Sequence, residues 1–118
     1  MILHFCPAAD WEAAADSGTY RAASLDDVGF IHCSDPETVH LPANALCAGR
    51  TDLVLLWIDP GRLDVPVRWE PADASAPDGP WFPHVYGPVP TSAVVAVHSF
   101  PPDLDGRFRP VPGPPHTR

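Results

Sequence analysis

The chain has 118 residues, which fits a single domain and is too short for two. The chain has fifteen Asp and Glu residues, seven Arg residues and no Lys, so its formal net charge is −8. Nucleic acids and anionic membranes bind clustered cations, so this charge argues against both kinds of partner. Three cysteines without paired spacing predict reduced thiols and a cytoplasmic protein.

Proline is unusually frequent, with 17 residues, and most of the prolines follow residue 70. An apolar share of 45% nevertheless predicts that the chain folds. We therefore expect a single domain over residues 1–108, followed by a proline-rich, extended C-terminal tail over residues 109–118.

The first third of the chain alternates short apolar segments with helix and turn signals. We predict a strand over residues 1–6 that stops at Pro7, followed by a helix over 11–16 that is capped by Asp10. A short extended piece over 20–23 and a turn over 24–27 come next. A second strand is predicted over 29–33.

The next segment has the spacing of a capping box, with Ser34 and Glu37 three residues apart. It predicts a helix that continues to about residue 47, with a kink or an early restart at Pro42. The carboxylates of Asp35 and Glu37 already occupy the positive end of this helix, so we expect no phosphate site there.

The second half of the chain is dominated by strand signals. A continuous apolar run over residues 53–58 predicts the buried centre of a sheet. It is followed by predicted elements in this order: a strand over 65–70, an exposed loop over 71–80, and strands over 82–86 and 93–100. Strands and helices in this order indicate an α+β fold with a mostly antiparallel sheet.

Three histidines are predicted to lie on strands beside apolar or aromatic neighbours. Because residues two apart share a strand face, the alternation groups Ile2, His4 and Cys6; Phe30, His32 and Ser34; and Phe82, His84 and Tyr86. A single such histidine is more often a satisfied core residue, but three on separate strands favour a shared cleft. The spacing lacks a recognised metal motif, so we expect no metal.

Two further residues have alternative interpretations. Cys33 is adjacent to His32, but neighbours in a strand face opposite ways, so the pair cannot form a thiolate–imidazole dyad and Cys33 is predicted to be a core thiol. Glu70 ends a predicted strand, where it is either a surface partner of Arg68 or a carboxylate that holds a sugar hydroxyl or stabilises positive charge.

Eight segments occur in a distinctive order, over residues 2–4, 10–12, 20–21, 29–34, 52–56, 68–70, 82–88 and 94–97. The most specific are Gly29-Phe30-Ile31-His32-Cys33-Ser34 and Phe82-Pro83-His84-Val85-Tyr86-Gly87-Pro88. In residues and spacing they resemble the bacterial domain-of-unknown-function family 952, and the resemblance covers about residues 1–108.

Members of that family resemble the ADP-ribosyltransferase fold, a split, strongly bent and mostly antiparallel β-sheet with two or three short helices and an NAD-binding cleft. The resemblance implies that the catalytic residues are His4, His32 and Glu70, although Glu70 precedes the late-strand position at which the superfamily glutamate is expected. The implied cofactor-binding residues are His4, Phe30, His32, Ser34, His84 and Tyr86.

The resemblance thus implies a small cytoplasmic protein that binds NAD or a related nucleotide and transfers ADP-ribose after cleavage at the nicotinamide ribose. Arginines for a phosphate-rich RNA substrate, as in one branch of the superfamily, are few here. One alternative is a noncatalytic small-ligand or partner-binding domain that keeps the fold without the chemistry. Another is a hydrolase that uses Cys or a metal. The acceptor and the oligomeric state are left open.

Overall fold

A computed structural model describes residues 1–112 of the chain. In chain order its strands and helices are β1 (Ile2–Pro7), α1 (Ala8–Ser17), β2 (Thr19–Tyr20), α2 (Ala23–Val28), β3 (Ile31–His32), α3 (His40–Cys47), β4 (Leu53–Ile58), β5 (Val67–Pro71), β6 (Trp81–Val85), β7 (Val89–Pro90) and β8 (Val94–Ser99). All strand pairings in this part of the chain are antiparallel, which confirms the predicted α+β class. None of its helices has the length and apolarity needed to cross a membrane.

Strand β4 lies at the centre of the first sheet, whose order is β1-β4-β8. Almost all of its side chains are buried, which confirms the prediction made from the continuous apolar run. Because neighbouring side chains of a strand point to opposite faces, β4 contributes to both hydrophobic cores. Leu53, Leu55 and Trp57 enter one core, whereas Leu56 and Ile58 enter the other.

The second three-stranded sheet has the order β3-β6-β5, and β2 pairs with β7 in a short ribbon. The two larger sheets meet where Leu3 and Ser34 form an isolated bridge of two backbone hydrogen bonds, each 2.7 Å long. Ser34 follows the two-residue strand β3, which is shorter than the predicted strand over residues 29–33. The bridge therefore joins the sheets edge to edge at a single residue pair.

Two hydrophobic cores lie on opposite faces of the first sheet. The first core brings Ile2 of the first sheet together with Ile31 and Val85 of the second. The second core packs the other face of the first sheet against Ala43 of α3 and Phe108 of the C-terminal segment. Alternation along β3 and β6 therefore leaves one face of the second sheet outside the first core.

Helices α1 and α2 differ from their predictions. Helix α1 begins at Ala8 after an extended Pro7, so Asp10 lies in its first turn and does not cap it. The predicted turn over residues 24–27 is wrong, because these residues belong to α2, which ends at Gly29 with a φ of 89°. Glycine adopts this left-handed conformation without the strain of a side chain. No residue of α2 is fully buried, so no apolar periodicity reveals the helix.

The segment before α3 corrects the predicted capping box. Ser34 is held in the bridge, and the carboxylate of Asp35 instead accepts 2.8 Å hydrogen bonds from the N–H and the hydroxyl of Thr38. A turn follows, and α3 begins only at His40. Pro42 therefore lies in the first helical turn, where its missing N–H breaks no helical hydrogen bond. Because residues 36–39 form a turn and α3 begins at His40, there is no earlier helix, and the predicted restart at Pro42 is wrong.

The later strands follow the prediction with shifted ends. The predicted segments over 65–70, 82–86 and 93–100 correspond to β5, β6 and β8. The loop between β5 and β6 is largely exposed, as predicted, whereas the two-residue strand β7 was missed. A two-residue strand carries too few side chains to show alternation, so its pairing with β2 is visible only in the folded chain.

The segment after β8 is held by specific contacts. Phe108 is fully buried, and its backbone exchanges two hydrogen bonds of 2.9 and 2.7 Å with the amide side chain of Asn44. Further on, the Val111 N–H donates to the Pro36 carbonyl at 3.2 Å. Ordered contacts thus extend past the predicted domain end at residue 108, and residues 113–118 of the predicted tail lie outside the described residues.

Candidate functional site

A cleft of about 470 Å³ lies between β1, α3, the β5–β6 loop and the free face of the second sheet. Its polar walls are His4, His32, Ser34 and His84. Its apolar walls include Phe5, Phe30, Pro42, Leu46, Pro71 and Phe82. A cavity of this size with a few polar groups among apolar walls has the character of a small-molecule site.

The strand register brings the polar side chains of the second sheet together. His32 of β3 lies opposite His84 of β6, with their ring centroids 5.5 Å apart. On the other side of β6, Arg68 lies opposite His84 and Glu70 opposite Phe82. Directly paired residues share a face of the sheet, so these five side chains lie on the face turned away from the first core.

Phe30 packs over this row of side chains. Its ring stacks on His84, with the centroids 4.0 Å apart, and its centroid lies 4.8 Å from that of His32 and 5.2 Å from that of Tyr86. His84 is 6% exposed beneath this ring, whereas His32 is exposed. Phe30 therefore fixes the plane of one histidine and leaves the other open to a ligand.

The Glu70 carboxylate is held beside the cleft by two donors. Its Oε1 accepts a 2.8 Å hydrogen bond from Nδ1 of His84 and a 2.5 Å bond from the Tyr86 hydroxyl. The bonds from Tyr86 and His84 hold the pKa of Glu70 below its ordinary value, so the group is ionised at neutral pH. The bond to Glu70 in turn raises the pKa of Tyr86. Since a carboxylate only accepts, Nδ1 of His84 carries a proton.

His4 has both ring nitrogens occupied. Nδ1 lies 2.6 Å from the carbonyl oxygen of His32, and Nε2 lies 2.7 Å from the hydroxyl of Tyr20. A carbonyl only accepts, so Nδ1 donates to it and Nε2 accepts from Tyr20. Burial lowers the pKa of His4 to about 4, and the ring is therefore neutral at pH 7. Together these bonds fix one tautomer of His4 and tie it to the backbone of His32.

The cysteines have the character of core thiols. Cys6 and Cys33 lie in the first core, and burial raises their pKa values to about 11 and about 12. Both thiols are protonated at neutral pH, whereas a cysteine nucleophile acts as the thiolate. Cys47 is half-buried. Across residues 1–112, no three His, Cys, Asp or Glu side chains are grouped as metal ligands.

The seven residues that the sequence singled out lie in or beside one cleft. Those that line it are His4, Phe30, His32, Ser34 and His84. Glu70 and Tyr86 adjoin it through their contacts with His84 and Phe30. Arg68 is not bonded to Glu70 but lies over the Tyr86 ring, with Cζ 5.1 Å from the centroid. The interpretation of Glu70 as the surface partner of Arg68 is therefore corrected.

Sequence reasoning missed residues of other elements that line the cleft or support a residue lining it. Tyr20 reaches His4 from the short strand β2, and Pro42 and Leu46 form a wall from α3. Tyr20 lies within one of the segments that carry the family resemblance, which is a signal that could have identified it. Pro42 and Leu46 have no polar chemistry, and only the packing of α3 reveals their place.

Comparisons with known proteins identify, over most of the chain, the family that the sequence resembles. A family model described as a protein of unknown function, DUF952, matches residues 5–97. The crystal structure of protein CC0527 from Caulobacter crescentus is 32% identical, covers 92% of each chain and has a TM-score of 0.77. The crystal structure of a double mutant of CC0527 is 29% identical, with 92% of each chain covered and a TM-score of 0.78.

The solution NMR structure of CC0527 is 31% identical, covers 92% of this chain and 90% of that one, and has a TM-score of 0.75. No curated protein matches the chain. The family description and the names of these structures state no activity, so the expected ADP-ribosyltransferase relationship stays a hypothesis. The chain belongs to the DUF952 family of proteins of unknown function.

Proposed function

We propose that the cleft binds NAD or a related nucleotide through a planar, nicotinamide-like base and the ribose attached to it. The volume and the mostly apolar walls support a flat organic ligand. Phe30 and Phe82 offer apolar rings against which such a base can pack. His32 and Ser34 offer polar groups that can hydrogen-bond the ribose hydroxyls or a carboxamide.

The observation that carries this proposal is the Glu70 cluster. One carboxylate oxygen is engaged by His84 and Tyr86, and the other has no hydrogen-bond partner within residues 1–112. An ionised carboxylate beside an apolar cleft can accept a bond from a ribose hydroxyl and stabilise positive charge on the adjoining sugar carbon.

The reaction that fits this cluster breaks the bond between the ribose C1′ and the pyridinium nitrogen. The bonding electron pair leaves with neutral nicotinamide, and an acceptor hydroxyl forms the new bond to C1′ and gives up its proton. Burial, with a smaller effect of His84, lowers the pKa of His32, so His32 is neutral and can take that proton. His4 acts as a positioning residue, because neither of its nitrogens is free for a ligand.

Calorimetric titration of the purified protein with NAD tests the proposal. We expect wild type to bind NAD at millimolar or lower concentration, and His32→Ala to bind about tenfold more weakly, because one hydrogen bond to the ligand is lost. The control is His98→Ala, which changes an exposed histidine of β8 and should leave the affinity as it is. Absence of binding by wild type at millimolar NAD would refute the proposal.

A noncatalytic nucleotide-binding domain is the second candidate, and the position of Glu70 favours it. Glu70 adjoins the cleft but does not line it, and one of its oxygens already accepts two bonds. Chromatographic detection of released nicotinamide separates the candidates. If the protein is an enzyme, Glu70→Gln should release nicotinamide about a hundredfold more slowly than wild type while it still binds NAD. Binding without release over hours would favour the noncatalytic domain.

A further inference from the structure

The walls of the cleft carry no formal charge apart from what their histidines can acquire. None of the residues between 1 and 112 that line the cleft is Asp, Glu, Lys or Arg. The Glu70 carboxylate, which does not line the cleft, lies 2.8 Å from His84 of its wall. A dinucleotide carries phosphates, and proteins hold phosphates with arginines, lysines or free backbone N–H groups.

Five of the six arginines between residues 1 and 112 have partners that do not line the cleft, and the sixth, Arg107, is not among the lining residues either. Four arginines form ion pairs with aspartates: Arg21 with Asp26, Arg50 with Asp52, Arg62 with Asp59, and Arg109 with Asp103 and Asp105. Arg68 lies against the Tyr86 ring, on the far side of His84 from His32. The sequence has no lysine that could take their place.

His4 and His32 do not replace these cations at neutral pH. Burial lowers the pKa of His4 to about 4, and burial together with the neighbouring His84 lowers the pKa of His32. The ionised Glu70 behind His84 adds negative charge to this side of the cleft. A phosphate beside His4, His32 or Glu70 would therefore meet a neutral or negative surface.

In the turn that leads into α3, the N–H groups of Thr38 and Val39 are already occupied. Asp35 accepts from Thr38 through its side chain and from Val39 through its carbonyl. Pro42, in the first turn of α3, has no N–H to offer. The wall that α3 presents to the cleft consists of Pro42 and Leu46, which are apolar.

We propose that the cleft recognises the unphosphorylated nucleoside end of its ligand, the base with its ribose, and contains no phosphate subsite. This inference rests on the proposed function and narrows its ligand class. Phosphates of a bound nucleotide remain in the solvent and add nothing to the affinity. Because Glu70 is negative, a nucleoside with a cationic base such as nicotinamide riboside is the form that fits this end of the cleft.

Calorimetry with three matched ligands tests this inference. Nicotinamide riboside, its 5′-monophosphate and NAD are each titrated into the full chain at about 50 and 300 mM salt, which spans strong and weak screening. We expect the riboside to bind at least as tightly as its monophosphate, and the ratio of the two affinities to be insensitive to salt. Phe30→Leu should weaken all three ligands by the same factor, since it changes the wall that meets the base.

A phosphate subsite would give a different result. The monophosphate would then bind about tenfold or more tightly than the riboside, and added salt would reduce the difference. Such a result overturns the inference but leaves nucleotide binding intact. If Arg68→Gln removed an advantage of the monophosphate, Arg68 would be identified as the missing cation. Absence of binding by all three ligands overturns the inference together with the proposed function.

Discussion

Replacing Tyr20 with Phe removes a single hydroxyl and leaves Nε2 of His4 without its donor. The hydrogen bond is 2.7 Å long and Tyr20 is 4% exposed, so water cannot readily replace the lost donor. A buried acceptor without a partner costs about 1–3 kcal/mol of the free energy of unfolding. For a chain of this length we expect the melting temperature to fall by about 3–6 °C for each kcal/mol lost.

The control is Tyr86→Phe, which removes the same atom from a half-buried side chain. Its partner Glu70 keeps His84 and gains water, so we expect a loss below about 1 kcal/mol. Urea unfolding followed by circular dichroism measures both variants, and an unchanged m-value validates the comparison. An equal loss in the two variants, or a proton on Nε2 of His4 in ¹⁵N NMR of the wild type, would refute the reasoning.

Three further predictions follow from buried groups. The pKa of His4 is about 4 in the folded chain and 6.5 in the unfolded chain. Between pH 6.5 and 4 only the unfolded ring gains a proton, so the free energy of unfolding should fall by about 3 kcal/mol as the pH drops through this range. Urea titrations at several pH values measure it. Phe108→Ala should cost about 3–5 kcal/mol and Leu104→Ala, at an exposed site, about 0.5 or less. In the native protein iodoacetamide should label Cys47 before the buried Cys33, which peptide mass spectrometry can follow.

Each of these predictions has an outcome that contradicts it. His4→Gln should flatten the dependence of stability on pH between about 5 and 6.5, and an unchanged slope would assign the effect to another group. Similar losses for Phe108→Ala and Leu104→Ala would mean that the C-terminal segment contributes little to the second core. Labelling of Cys33 as fast as Cys47 would show that the first core opens readily.

The strands were more predictable than the helices, and β4 and α2 illustrate why. Six consecutive apolar residues leave β4 no stable position except the centre of a sheet, so its bounds follow from burial alone. Helix α2 has six residues, none of them fully buried, and its existence depends on the chain around it. The capping box failed for a related reason, because Ser34 is taken by a bridge to Leu3, which is distant in sequence.

Strand alternation predicted which residues of the candidate site share a face of one strand. Alternation correctly separated His32 from Cys33 and grouped His84 with Tyr86. It could not place Glu70 beside His84, because that contact depends on the register between β5 and β6, which the turns of their loop determine. It also could not pair His4 with its donor on β2, since a two-residue strand shows no pattern.

The bridge between Leu3 and Ser34 joins the two sheets through main-chain atoms alone. On one side of it the two sheets share a packed core, and on the other side Phe5 and His32 form walls of the open cleft. The hydrogen bond from His4 to the His32 carbonyl ties the same two sheets a second time. Because the bridge uses only the N–H and C=O groups of its two residues, substitutions of their side chains leave this connection between the sheets in place.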